Sequence, residues 1–207
     1  MSPLYIFGAG GQASEVADIA EALGYAPVLL VRDNDSSPSA RPVLAEAEAV
    51  SRTDAAFAIG IGANDVRARV AGRYAHLQFP NLVHPDSTVG PAVRRELAGR
   101  RGIVIQTGVR LTTGVTVGDF CNLNLNATVS HDCRLGDFVT VSPGANVGGN
   151  VHIGPRAWIG IGASISNGSR ESPLVIGAGA VIGAGTVVIR DCEEGGVYAG
   201  VPARRLR

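Results

Sequence analysis

The chain has 207 residues, with 18 Lys plus Arg against 18 Asp plus Glu, and only 17% of it is charged. That balance excludes the basic surface that a polyanionic partner such as nucleic acid requires, and no apolar run approaches the roughly 18 residues of a membrane span. Its 28 glycines, beside five Phe, four Tyr and one Trp, predict many tight turns around an aliphatic core. The three cysteines have neither a disulfide-framework spacing nor that of a zinc ribbon. The start, "MSPLYIFGAGG", lacks the basic and apolar regions of a secretory signal. A soluble, cytoplasmic protein with no membrane partner and no metal is expected.

Residues 1 to 80 read as α/β. "LYIF" (4–7) is an apolar run ending at "GAGG", and "QASEVADIAEALGY" follows with Val16, Ile19, Ala20 and Leu23 at helical spacing and Gly24 where a helix stops. "APVLLV" (26–31) and "AAFAIGIG" (55–62) read as two more buried strands. "NDVRARVAGRY" (64–74) reads as a second helix with Asn64 as its cap. Strands alternating with helices predict a small Rossmann-like parallel sheet.

From residue 81 the grammar changes, with the boundary placed at "FPNLVHP" (79–85). "STVGPAV" (87–93) is a first repeat copy, and "RRELAGRRG" (94–102) is expected to be an exposed loop or a widened coil. Every sixth residue from Ile105 is then Leu111, Val117, Leu123, Val129, Leu135, Val141, Val147, Ile153, Ile159 and Ile165. Four places later in each hexad stand Val109, Val115, Cys121, Ala127, Cys133, Val139, Ala145, Val151, Ala157, Ala163 and Ser169, all small or β-branched. A strict six-residue period fits neither a helix nor a flat strand. It is the signature of a parallel β-helix built from hexapeptide repeats. The register slips at "ESPLV" and resumes at Ile176 and Ile182, and Cys192 falls outside the array.

These hexads, the ending "YAGVPARRLR" (198–207), the front "YIFGAGGQASEVADIAEALGY" and the central "VSHDCRLGDFVTVSPGA" together resemble the sialic-acid O-acetyltransferase-like family, which includes bacterial nucleotide-amino-sugar N-acetyltransferases. The resemblance implies a left-handed β-helix, a homotrimer of parallel prisms, acetyl-CoA in the groove between subunits, and a nucleotide-sugar held by the N-terminal domain. It implies Gly10, Gly11 and Gln12 against the phosphates, Asp33 at the base or ribose, and Gly62, Asn64 and Arg67 closing that pocket; spacing from the glycines alone allows Asp33 or Asp35 at a ribose. For acetyl-CoA it implies Asn124, Thr140, Ile161 and Ala184. Many relatives have histidine where this chain has Gln12, and some have one where it has Thr140.

The residues themselves support some of these implications. "GAGGQA" (8–13) fits G-x-G-x-x-G/A between a strand and a helix, where glycines let the backbone approach phosphates at a helix N-terminus. A nicotinamide dinucleotide and a purely structural turn remain alternatives. His131 is third in its hexad and so points outward, which is equally the position of an ordinary solvated residue. Coils of about 18 residues stack Thr113, His131, Gly149 and Asn167 in one column and Gly114, Asp132, Asn150 and Gly168 in the next. His131 then lies beside a glycine, with room for a thin chain such as pantetheine. With the resemblance, His131 reads as a general base and Asp132 as the carboxylate that fixes its tautomer. Cys121 and Cys133 face inward and read as core fillers, which favours direct attack on the thioester. The expected activity is acetyl-CoA-dependent N-acetylation of a nucleotide-linked 4-amino-deoxysugar, the alternative being O-acetylation of a sialic-acid-type sugar. From other classes, a zinc carbonic anhydrase lacks the three histidines it needs, and a non-catalytic nucleotide-binding scaffold stays open.

Overall fold

A computed structural model describes residues 1–31, 41–52 and 54–207; Asp33 and Asp35 lie outside them. The chain starts with β1 (Pro3–Phe7), α1 (Gly11–Ala22), β2 (Ala26–Val31), β3 (Val43–Ala45), the single-turn α2 (Glu46–Ala49), β4 (Ala56–Ile59) and α3 (Asn64–Arg73). The strands form one parallel sheet in the order β3-β2-β1-β4, the order of half a dinucleotide-binding fold. Strand β1 is central, and alternation sends its side chains to opposite faces. Leu4 and Ile6 pack with Ala13, Val16 and Ala17 of α1, whereas Tyr5 and Phe7 pack with Phe57, Ile59 and Val70 on the α3 side. Helix α1 ends where Gly24 adopts φ +83°, a conformation glycine enters without a Cβ penalty. Two elements, β3 and α2, go beyond the sequence reading, since three apolar residues carry no legible period. Among the described residues, no helix is long and apolar enough to cross a membrane.

From Leu82 the chain winds into a three-sided parallel β-helix. The first face runs through Leu82–Val83, Val104–Ile105, Asn122–Leu123, Thr140–Val141, Trp158–Ile159 and Val181–Ile182. The second runs through Thr88–Val89, Arg110–Leu111, Thr128–Val129, Asn146–Val147, Ser164–Ile165 and Val187–Val188. The third holds Thr116–Val117, Arg134–Leu135, Val151–Ile153 and Leu174–Ile176. Register pairs Leu111 with Val129, Val129 with Val147 and Val147 with Ile165, so each coil of 18 residues sits over the last. Both inward positions of each hexad are buried in one continuous core. Between Ile153 and Ile176 the step is 23 residues. Five extra residues are spliced in there, and Ser169, expected inward, is exposed outside the core.

Two further readings are sharpened. The segment after "STVG" is the widened coil of the two alternatives, since Leu82 pairs with Val104, and it holds helix α4 (Pro91–Leu97), with proline in its first turn and with Val93 and Leu97 buried in the β-helix core. Its apolar spacing, four residues, covers the open end of the first coil. Cys192 is 3% exposed and belongs to the same core, bridging to Ile176 one coil away.

Each corner turns on one residue with positive φ. Glycine, Asn or Asp fills most of these positions, including Gly108, Asn126 and Gly144 on the first corner and Gly114, Asp132 and Asn150 on the second. The third corner has Gly102, Gly179 and Gly195 toward its ends but Phe120, Phe138 and Arg156 between them, at φ +55°, +61° and +59°, costing each of the three about 1–2 kcal/mol relative to the right-handed region. Other glycines are required by proximity. A Cβ on Gly136 would lie 2.6 Å from Pro155 N and 2.9 Å from Pro155 Cα in the next coil.

Gly136→Ala must therefore push adjacent backbones apart, and is expected to destabilise the protein by about 1–3 kcal/mol, a loss of roughly 2–10 °C in Tm. Gly72→Ala, in open space on α3, should instead raise stability by up to about 1 kcal/mol. Calorimetric melting of the two variants checks the contrast, and equal shifts would contradict it.

Candidate active site

The second corner builds the site around His131. A Cβ added to Gly149 would fall 2.5 Å from His131 Nε2 and 2.6 Å from its Cε1. The imidazole thus lies over a glycine that has no side chain to displace it. Asn150 N–H donates to the His131 carbonyl at 2.9 Å and Asp132 N–H to the Thr113 carbonyl at 3.0 Å, which locks the columns in register. His131 Nδ1 and Asp132 Oδ2 are 2.9 Å apart. With its proton on Nδ1, the ring donates to the carboxylate and leaves the Nε2 lone pair facing Gly149 and solvent. Both side chains are about half exposed (52% and 61%), so an incoming substrate can reach them. The Gly149 amide already donates to Asn167 Oδ1 at 3.1 Å, so it is committed within the chain.

Cys133 adjoins the pair in sequence, but its thiol points inward and donates to the Gly148 carbonyl at 3.0 Å. Burial holds it above the usual thiol range, and burial pushes Cys121 up to about 12. Neither supplies a thiolate nucleophile.

At the front of the chain, Gly10 caps α1 in extended conformation and Gly11 opens the helix, both exposed with open space around them. No acidic residue occupies the first turn of α1, so its amide dipoles are uncompensated there. Gln12 is half-buried, and its Nε2 has no hydrogen-bond partner among the described residues. The glycines with strict roles are Gly8, at φ +109°, and Gly60, whose Cβ would lie 2.5 Å from Ala13 Cα. Ala13 thus fills the last place of the G-x-G-x-x-A pattern as the point where helix meets sheet. Gly60 belongs to no motif legible in the sequence.

Arg67 and Thr140 occupy different positions from those expected. Arg67 is 1% exposed and does not open onto a pocket. Its Nε donates to Phe120 O at 2.8 Å, Nη1 to Gly62 O at 2.8 Å and Ile61 O at 3.1 Å, and Nη2 to Phe138 O at 2.9 Å, Asn64 Oδ1 at 3.0 Å and Thr140 Oγ1 at 3.0 Å. Burial pulls this guanidinium down to about 10. Thr140, 1% exposed, donates to Asn64 Oδ1 at 2.6 Å, so its side chain is turned toward α3 and away from any groove. Asn64 is not a helix cap: Ala63 holds that position, and Asn64 Nδ2 donates to Arg156 O at 2.8 Å and Ala157 O at 3.1 Å. Gly62 enters the network through its carbonyl. Together these residues bolt the N-terminal sheet to the third corner.

Of the remaining expected contacts, Asn124 is 7% exposed with Oδ1 unpartnered among the described residues, while Ile161 (61%) and Ala184 are exposed on the first corner. There they share a column with Leu125, since Gly144 and Gly185 donate to the Leu125 and Ile161 carbonyls respectively. Sequence reasoning does not single out Leu125, although an apolar residue at a turn tip is a signal that could. A cavity of about 590 Å³ is lined by Asn64, Asp65, Arg156, Trp158, Val181 and Glu194 among others and holds neither His131 nor Asp132. A smaller one, about 380 Å³, includes Asp132.

Two variants separate these roles. Arg67→Met leaves buried carbonyls without donors, at about 1–3 kcal/mol each, and should lower stability by at least about 3 kcal/mol. Amide exchange across β1, β4 and α3 should rise first, and unchanged protection would rule out the docking role. Gly149→Ala meets only the tip of a side chain that can rotate, so Tm should hold within about 3 °C while the His131 ring turns away, visible in a crystal structure or in its imidazole resonances.

Residues 3–74 match the model of the PglD N-terminal domain. Over the whole chain, the fold is similar to that of the acetyltransferase domain of PglB from Neisseria gonorrhoeae FA1090 in complex with acetyl coenzyme A, at 32% identity, TM-score 0.87, and 99% and 98% coverage of the two chains. It is also similar to WeeI from Acinetobacter baumannii AYE (27% identity, TM-score 0.87, 100% of both chains). A third is PerB from Caulobacter crescentus in complex with CoA and GDP-perosamine (28% identity, TM-score 0.87, 100% and 98%). With a third of its residues shared along its full length, the chain belongs to the nucleotide-amino-sugar N-acetyltransferase family of left-handed β-helix, hexapeptide-repeat enzymes.

Proposed function

We propose that the protein transfers the acetyl group of acetyl-CoA to the amino group of a nucleotide-linked 4-amino-deoxysugar, with His131 as general base. The observation that carries this reading is the imidazole whose Nδ1 is held by Asp132 and whose Nε2 edge lies over Gly149. The relatives support the substrate classes, PglB being bound to acetyl coenzyme A and PerB to CoA and GDP-perosamine.

The sugar amine attacks the thioester carbonyl carbon, forming the C–N bond. His131 Nε2 takes the proton from the attacking nitrogen as charge develops. Asp132 stabilises the imidazolium and holds the ring's orientation. Collapse of the tetrahedral intermediate breaks the C–S bond, and the proton passes from His131 to the departing thiolate, giving CoA-SH and the acetamido sugar. With no thiolate available at Cys121 or Cys133, acetyl passes directly between the two substrates.

In this reading Gly10, Gly11 and Gln12 meet the nucleotide-sugar phosphates at the N-terminus of α1, where unpaired amides favour anions. The first-corner column of Leu125, Ile161 and Ala184, with Asn124 beside it, lies along the pantetheine in a groove completed by a second subunit of a homotrimer. Residues 1–80 form the nucleotide-sugar module and 81–207 the acetyltransferase module, working together in the cytoplasm.

His131→Ala should lower kcat by about 10²–10⁴, with Kd for acetyl-CoA within about threefold of the unmodified protein. Single-turnover acetylation of GDP-, UDP- and TDP-linked 4-amino sugars, paired with calorimetric binding of acetyl-CoA, tests it. Turnover that survives the substitution removes the base assignment.

A further inference from the structure

The third face carries a basic concavity that the mechanism above leaves unused. Asp132, Arg134, Asn150, His152, Arg170 and Pro173 line a cavity of about 380 Å³. Arg134 and His152 are paired in register on successive coils, so their outward side chains stack in one column. Arg170 comes from the five-residue splice between the second and third faces, a segment that contributes nothing to the core. Among the described residues, neither Arg134 nor Arg170 is engaged in an ion pair or hydrogen bond. The one carboxylate of the cavity, Asp132, is turned to His131 Nδ1 at 2.9 Å. Burial, then the charge of Arg134, holds the His152 imidazole below its ordinary range, and the two guanidiniums outnumber the one carboxylate, which leaves the cavity net positive.

Two guanidiniums converging on a polar hollow, with an imidazole and an Asn amide at its wall, match an anion with several acceptor oxygens. A monodentate carboxylate would leave most of those donors idle. The hollow shares Asp132 with the proposed base, which places any bound anion within one corner of the reacting groups. Both substrates of the proposed reaction carry a diphosphate.

We propose that Arg134, His152 and Arg170 form a phosphate subsite that anchors the diphosphate of one substrate next to the His131–Asp132 pair. The inference rests on the acetyltransferase reading for which substrate is held, and on the cavity alone for the chemistry that is bound. Arg134 and Arg170 act through binding; neither is assigned a proton or a bond to the reacting atoms.

The test has a binding arm and a kinetic arm, using the intact protein and the Arg134→Ala/Arg170→Ala double variant. Calorimetry with inorganic pyrophosphate should show Kd rising by about tenfold or more in the double variant, a loss of about 1.4 kcal/mol. Steady-state kinetics should show KM for one substrate rising about tenfold with kcat within about threefold, the pattern of lost uniform binding. A rise confined to acetyl-CoA assigns the coenzyme's diphosphate, and a rise confined to the nucleotide-sugar assigns the acceptor's and removes its phosphates from the N-terminus of α1. Pyrophosphate affinity within twofold of the unmodified protein overturns the subsite. If affinity falls in the double variant but the intact protein acetylates no amino sugar, the subsite stands and the acetyltransfer reading fails.

Discussion

The site's geometry is set by one constraint, the hydrogen bonding of each coil to the next, which around His131 lies 18 residues away. Ser130 N–H donates to Val147 O and Gly148 N–H to Ile165 O, so the columns on either side of them have no freedom to slip. A one-residue shift would turn every inward aliphatic outward, which makes the register as stable as the core it buries. The site inherits that rigidity. His131 lies over Gly149, and Asp132 beside His131, because the wall beneath them is in register, with no loop that must fold to bring them together.

The same stacking creates the seat for the N-terminal sheet. The first and second corners satisfy their left-handed positions with Gly, Asn and Asp, but the third corner, between Gly102 and Gly179, places Phe120, Phe138 and Arg156 there. These residues carry side chains where glycine would be easier, and the side chains are what the N-terminal module packs on. Phe120 stacks on Phe138 with ring centroids 5.4 Å apart and meets Phe79 edge-on at 5.2 Å. The carbonyls of the same three residues accept from Arg67 and Asn64. Backbone strain is thus offset at the contact it makes possible. The buried Arg67 has no carboxylate among its six acceptors, so its charge is solvated by carbonyl and hydroxyl dipoles instead.

The β-helix is legible because its signal is a repeat: Ile105 to Ile165 state one environment eleven times, and noise cannot imitate that. His131 and Gly149 follow from the same count, since a known coil length turns sequence separation into distance. What stays hidden has equally physical causes. Arg67 and Thr140 are 73 residues apart and joined through a docking interface that no period encodes; a lone Arg in a helix reads the same whether it faces a ligand or a wall. The inward placement of Ser169 extrapolates a register that the five-residue splice has already ended. Helix α4 is masked because Pro91 and two glycines nearby look like loop punctuation, although proline opens a helix as readily as it interrupts one.

A wall made of repeated coils also acts as a ruler with fixed graduations. Neighbouring coils are separated by about 4.8 Å, the spacing of paired strands, and no intermediate spacing keeps the hydrogen bonds. The height of His131 above the bolted N-terminal module can therefore change only by whole coils, never by a fraction of one. Small adjustments of reach are left to side chains and to insertions such as the one bearing Arg170, which leave the wall untouched. Divergence in this architecture is stepwise in the frame and continuous at its edges.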